Sequence, residues 1–188
     1  MKYWTLFLGI LITSPVFAKC KIDDQKFGTS SKIIEKTLGE FYGIFERIPN
    51  FQKEVTVNFD TICPKLEETL GKDTTLSYHF IKDQLVAIEL VRQTSNDLLL
   101  FEWGREHFGI MEDRNINESE QIIQVKDGDR IIQLFVGMLP DVVFQNVVLI
   151  STLHDDLFEL LAAKEDNVNW DTFEHAPPEP FSGASEGN

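Results

Sequence analysis

Cysteine is scarce in this chain of 188 residues: Cys20 and Cys63 are the only two. They are not a Cys-x-x-Cys pair, which argues against a dithiol redox centre. Basic residues are also few. Seventeen lysines and arginines face thirty-one acids, a net charge of −14. Such a field repels nucleic acid and anionic membrane surfaces, and neither is expected as a partner. Beyond residue 18 no segment approaches eighteen consecutive apolar residues, so no membrane insertion is expected of the remainder. There is no Gly-x-Ser-x-Gly elbow, no His-Glu-x-x-His pair and no paired Cys/His ligand spacing. The sequence offers no catalytic, cofactor-binding or metal-ligating set.

Residues 1–18 have the layout of a cleaved signal peptide. Lys2 gives a positive start, an apolar run follows, and Val16-Phe17-Ala18 places small residues at −3 and −1 of a cleavage site after Ala18. Lys19 stands where a lipobox needs a small residue before Cys20, which disfavours lipidation. The remainder, thirty-one acids against sixteen bases once Lys2 is removed, carries −15. A periplasmic or secreted location is expected, and there Cys20 and Cys63 form one disulfide. An intermolecular bridge is the alternative.

The organisation expected is a signal peptide over 1–18, one α+β domain over 19–175 and a disordered acidic tail over 176–188. The last stretch is rich in Pro, Gly and Ser and lacks periodicity. Residues 152–188 hold nine acids and one base, Lys164, and so account for −8 of the charge.

The segment 27–39 echoes 59–71 at a spacing of 32, with identities at Phe27/Phe59, Thr29/Thr61, Glu35/Glu67, Thr37/Thr69, Leu38/Leu70 and Gly39/Gly71. Each copy predicts a short helix, capped near Thr29 or Thr61 and ended by a left-handed Gly39 or Gly71. A looser third copy spans 95–109, with Ser95 as cap, Asp97 at the helix start and Gly109 as terminator. Strand signals follow each copy: 41–48 and 54–59, then 76–81 and 85–91 around a tight Lys82-Asp83 turn, then a hairpin over 121–136. Asp127-Gly128 suits the turn of that hairpin, with Ile123 facing Ile132 and Val125 facing Arg130. A strand over 142–150 and a helix from a Thr152–Asp155 capping box to about Ala163 complete the pattern. The fold class expected is α+β: repeated αββ units, their hairpins forming one antiparallel sheet with helices packed on one face.

The stretch Lys26-Phe-Gly-Thr-Ser-Ser-Lys-Ile-Ile-Glu-Lys-Thr-Leu-Gly-Glu40 resembles the helix-opening motif of small bacterial envelope proteins of the BamE-like and beta-lactamase-inhibitor-like type. That resemblance implies helices laid on an antiparallel sheet and a role in binding other proteins. The chain departs from the outer-membrane assembly members in having no lipobox.

Individual chemical candidates read mostly as structure. His79 sits in a strand, and His154 precedes Asp155-Asp156, acids that a helix first turn attracts on dipole grounds alone. The run from Asp113 begins like a calcium loop but has Glu118 where the turn needs Gly and Gln124 where a bidentate Glu belongs. Glu102 and Glu106, with Arg105 beside them, read as a solvated helix face. Acids next to large aromatics suit a protein interface, which makes Trp103, Phe108, Asp155, Asp156 and Trp170 the candidate partner-binding residues. The function expected is an exported protein-binding protein, an inhibitor or immunity-type protein acting on a basic envelope-active partner. The alternatives are a small hydrolase whose catalytic acids meet only in the fold, and an envelope assembly factor.

Overall fold

The computed structural model describes residues 20–39, 41–66, 68–110 and 120–165. The calls on residues 1–18, the 113–118 loop, Trp170 and the 176–188 tail lie outside them.

The described chain runs α1 (Ser31–Leu38), β1 (Gly43–Ile48), β2 (Gln52–Val57), α2 (Phe59–Ile62), β3 (Thr74–Ile81), β4 (Gln84–Thr94), α3 (Leu99–His107), β5 (Glu120–Asp127), β6 (Arg130–Leu139), β7 (Val142–Ser151) and α4 (Asp155–Glu165). All seven strands pair antiparallel in one sheet ordered β1-β2-β3-β4-β7-β6-β5. The α+β class and the order of the αββ units are as the sequence implies.

Alternation along each strand sends side chains to two faces. On the first face Val55, Leu76, Tyr78, Ile88, Leu90, Val147, Leu134 and Ile123 build the main core with Ile34, Phe59, Ile62, Leu100 and Phe101 from the helices. Cys20 and Cys63 belong to this core and are joined, with their Cα atoms 4.5 Å apart. Closing a loop of 43 residues stabilises by about 4 kcal/mol in the chain-entropy picture.

α3 lies close on β6 and β7 because Gly104 has no side chain. A Cβ there would stand 2.9 Å from Leu134 Cδ2 and 3.0 Å from Val147 Cγ2. The start of α3 is fixed by a buried polar network. Gln145 Oε1 accepts from Leu100 N (3.0 Å) and Phe101 N (3.1 Å), while its Nε2 donates to Asp97 O (2.8 Å). Arg92, 4% exposed, grips the Asp97 carboxylate with two bonds of 3.1 and 3.0 Å and donates to Leu70 O. These bonds hold the Asp97 carboxyl below its usual range, with Arg92 the leading cause.

Five local expectations are revised. The second echo is not one helix: α2 stops at Ile62, because Cys63 precedes Pro64, and a residue before proline is driven out of the α region. Gly39 and Gly109 take positive φ (93° and 64°), but Gly71 is not among the positive-φ glycines and opens a 3-10 turn instead. The caps also differ. Asp83, from the Lys82-Asp83 turn, accepts from Ser31 N (3.1 Å) and Ser31 Oγ (2.5 Å), so α1 is capped across the fold, and Asn58 caps α2 through Asp60 N. Asp97 does sit at the head of α3, accepting from Leu99 N.

In the third hairpin the two loop residues are Gly128 and Asp129, with Gly128 at φ 62°, the glycine-first pattern of a type II′ turn. The register therefore pairs Ile123 with Leu134 and Val125 with Ile132, a shift of two residues from that expected. A shift of two preserves the faces, so the apolar side still points inward. Finally, α4 begins at Asp155, with His154 O accepting from Leu157 N and Phe158 N, instead of from a Thr152 box. Ser151 Oγ meets His154 Nδ1 at 2.7 Å and fixes that residue.

Candidate functional site

The second face of the sheet is where α4 packs, and it covers one corner only. Leu157, Phe158 and Leu161 close over Ile48, Phe51, Ile81 and Val86 in a small separate core. Lys164 Nζ lies 4.8 Å from the centre of the Phe51 ring, and Arg47 meets Glu165 at 3.5 Å, pinning the end of the helix. The register puts Ile122, Phe135, Phe144, Ile131, Val148 and Ile150 on the rest of this face. All six are at least partly exposed; α4 overhangs Val148 and Ile150 across a pocket, and no described helix packs on the other four.

The aromatic pair is built in. Phe135 and Phe144 meet edge to face, 5.9 Å between ring centres. The Phe135 ring lies over Gly137, where a Cβ would come within 3.1 Å of Cζ. A glycine left open under an aromatic ring is a known way of filling a strand's missing side chain.

A polar cluster occupies the middle of the same face. Glu89 on β4 joins His79 on β3 (Oε2 to Nε2, 2.8 Å) and accepts from Asn146 Nδ2 on β7 (2.5 Å). The bond from His79, more than any other influence, holds the Glu89 carboxyl below its usual range although burial opposes it. Glu54 pairs across the strand with His79, and Glu120 lies on the same face, with Lys126 at its rim and Arg47, Lys82 and Lys164 at the α4 corner. Between this cluster and α4 lies a pocket of about 220 Å³. Its walls include Ile81, Val86, Ala87, Val148, Ile150, Phe158 and Leu161, with Gln52, His79 and Glu89 as polar members.

A histidine paired with a carboxylate is one half of an acid–base arrangement. Covalent catalysis also needs a nucleophile within reach. Ser77, the nearest hydroxyl by register, is turned to Thr56 at 3.5 Å. Among the described residues no three His, Cys, Asp or Glu side chains come together in a form that would hold a metal ion.

Comparison with protein-family models, with curated proteins and with solved structures finds no match.

The residues singled out from sequence are spread over both faces. Trp103 and Phe108 belong to the α3 side, partly buried against the main core, with Trp103 stacked on His107 at 4.7 Å and Arg130 5.5 Å over the Phe108 ring. Asp155 and Asp156 are exposed in the first turn of α4, on the other side of the sheet. The structure does not gather them into one site. The open-face set was missed because it comes from five strands, and no window along the chain contains it. Its one signal was the opposite phase of strands read only for their inward side, such as Phe135 beside Leu134 and Val136.

Proposed function

We propose that this is an exported protein-binding protein that docks a basic protein partner on the face of its sheet that the described helices leave largely open, in the manner of an inhibitor or immunity-type protein. The observation that carries this reading is the open face itself: six partly exposed apolar side chains on β5, β6 and β7 lie to one side of an ionised Glu89 on β4. Apolar surface of that kind, rimmed by polar groups, is the mark of an interaction site. Its acids, and the net charge of −14, suit a basic partner and would speed its approach. The disulfide suits an oxidising compartment, and no described helix is long and apolar enough to cross a membrane. The resemblance of residues 26–40 to small envelope proteins that bind others points the same way.

A photo-crosslinking residue introduced at Ile131 on the open face, and separately at Lys36 on α1, tests this directly. A basic protein should be trapped from Ile131 and not from Lys36. Equal trapping from both positions, or an acidic protein trapped at Ile131, would sink the proposal.

A further inference from the structure

The geometry points to the pocket under α4 as the seat of a lysine side chain from the partner, its aliphatic stem along the apolar wall and its ammonium on Glu89. The choice of occupant rests on the protein-binding reading above; the chemistry of the pocket does not.

Three features select an alkylammonium group. The first is shape: about 220 Å³, with Ile81, Val86, Val148 and Ile150 from the sheet facing Phe158 and Leu161 from α4, takes a short unbranched chain. The second is charge. Glu89 lines the pocket, its side chain is 24% exposed, and its carboxyl is held ionised by His79 and Asn146. The third is an unmet acceptor. Gln52 also lines the pocket, and its Oε1 is shielded from solvent with no hydrogen-bond donor among the described residues. A buried acceptor without a donor is unfavourable, and a ligand that brings N–H groups removes that cost.

A carboxylate ligand would meet Glu89 with like charge, and a neutral hydrocarbon chain would bring no charge to the carboxylate and no donor to the amide oxygen. A primary ammonium on an aliphatic stem brings a positive charge to Glu89 and further N–H donors to the pocket while burying its methylenes. Lysine, with a flexible stem and three donors on a compact charge, is that group as proteins carry it.

The test uses the full chain, n-pentylammonium chloride as probe and 1-pentanol as its neutral counterpart, followed by the NMR shifts of the Ala87, Val148, Ile150 and Leu161 methyl groups. The ammonium should give saturable shifts confined to these positions, with 1-pentanol at least about tenfold weaker. Glu89→Gln should weaken the ammonium about tenfold and leave 1-pentanol unchanged. Ile150→Phe, which fills the pocket from a half-exposed position, should abolish both. Equal binding of ammonium and alcohol, an unaffected Glu89→Gln, or an absence of saturable shifts would overturn the pocket assignment, whatever the crosslinking shows. Ammonium binding with no basic protein trapped at Ile131 would instead overturn the partner as the source of the lysine.

Discussion

The two faces of the sheet come from the same strands and often from adjacent residues, yet they are finished differently. On the α1–α3 face, Leu76, Tyr78, Leu90, Leu134 and Val147 are fully buried, and the polar groups beneath α3 are tied into a network running from Arg92 through Asp97 to Gln145. On the other face, Phe135, Phe144, Val148 and Ile150 stay partly exposed, and in the polar cluster of His79, Glu89 and Asn146 the Asn146 Oδ1 has no donor among the described residues. One face has its hydrogen bonds directed at holding a helix. The other leaves apolar side chains partly exposed, beyond the cover of the described helices. Core packing and an interaction surface use the same residue types, and cover is what separates them.

The comparison is broken most severely by cutting into each face in turn. Phe101→Ala, on α3 and 1% exposed, should lower stability by about 3–5 kcal/mol in denaturant unfolding. Phe144→Ala, on the open face, should cost only about 1 kcal/mol, the scale of its edge-to-face contact with Phe135, while abolishing trapping of the partner at Ile131. Similar losses from both would mean that the second face is core.

A smaller effect comes from acid. Glu89 and Asp97 are both held below their usual values, so the unfolded chain takes up their protons first. Their contribution is complete above the ordinary carboxylate range, near 4.5 for Glu89, and is lost as pH falls through the lower folded values. Tm measured from pH 6 downward should therefore hold level and then drop below that range. Asp97→Asn, on the helix-holding face, should flatten more of the drop than Glu89→Gln, because Arg92 beside it is buried. The reverse ranking would place the main acid-sensitive network on the open face.

Smallest is Tyr78→Phe. The Tyr78 hydroxyl is buried in the main core with no partner among the described residues, and burial pushes its pKa above the usual range. Removing it should change Tm little or raise it, since an unpaired buried polar group stabilises nothing. A marked loss would show that the hydroxyl is satisfied.

Much of the fold was legible in sequence, because period-2 runs such as Ile132, Leu134 and Val136 and stop signals such as Gly39 and Gly109 are local, whereas a bulge in the β3–β4 pairing sends Val86 to the α4 face, away from Ile88 and Leu90. The errors also have local causes. The second echo fails as one helix at Pro64, because α2 starts at Phe59 and Pro64 falls beyond its end. The Asp127-Gly128 pair was placed as the loop when Gly128 is the first loop residue and Asp127 the last paired one. The candidate site was not legible, since His79, Glu89 and Asn146 are joined only by the pairing of β3 with β4 and of β4 with β7.

By itself the sequence determined the element order, the α+β class, the strong acidity and a cysteine pair able to bridge. Each depends on composition or on neighbours within a few residues. Only the tertiary structure decided which face of the sheet the helices cover, that α4 takes the opposite corner and leaves a pocket, and that Glu89 meets both His79 and Asn146. Strand order and helix placement are set by burial across the whole chain, and that competition leaves no trace in any single window of residues.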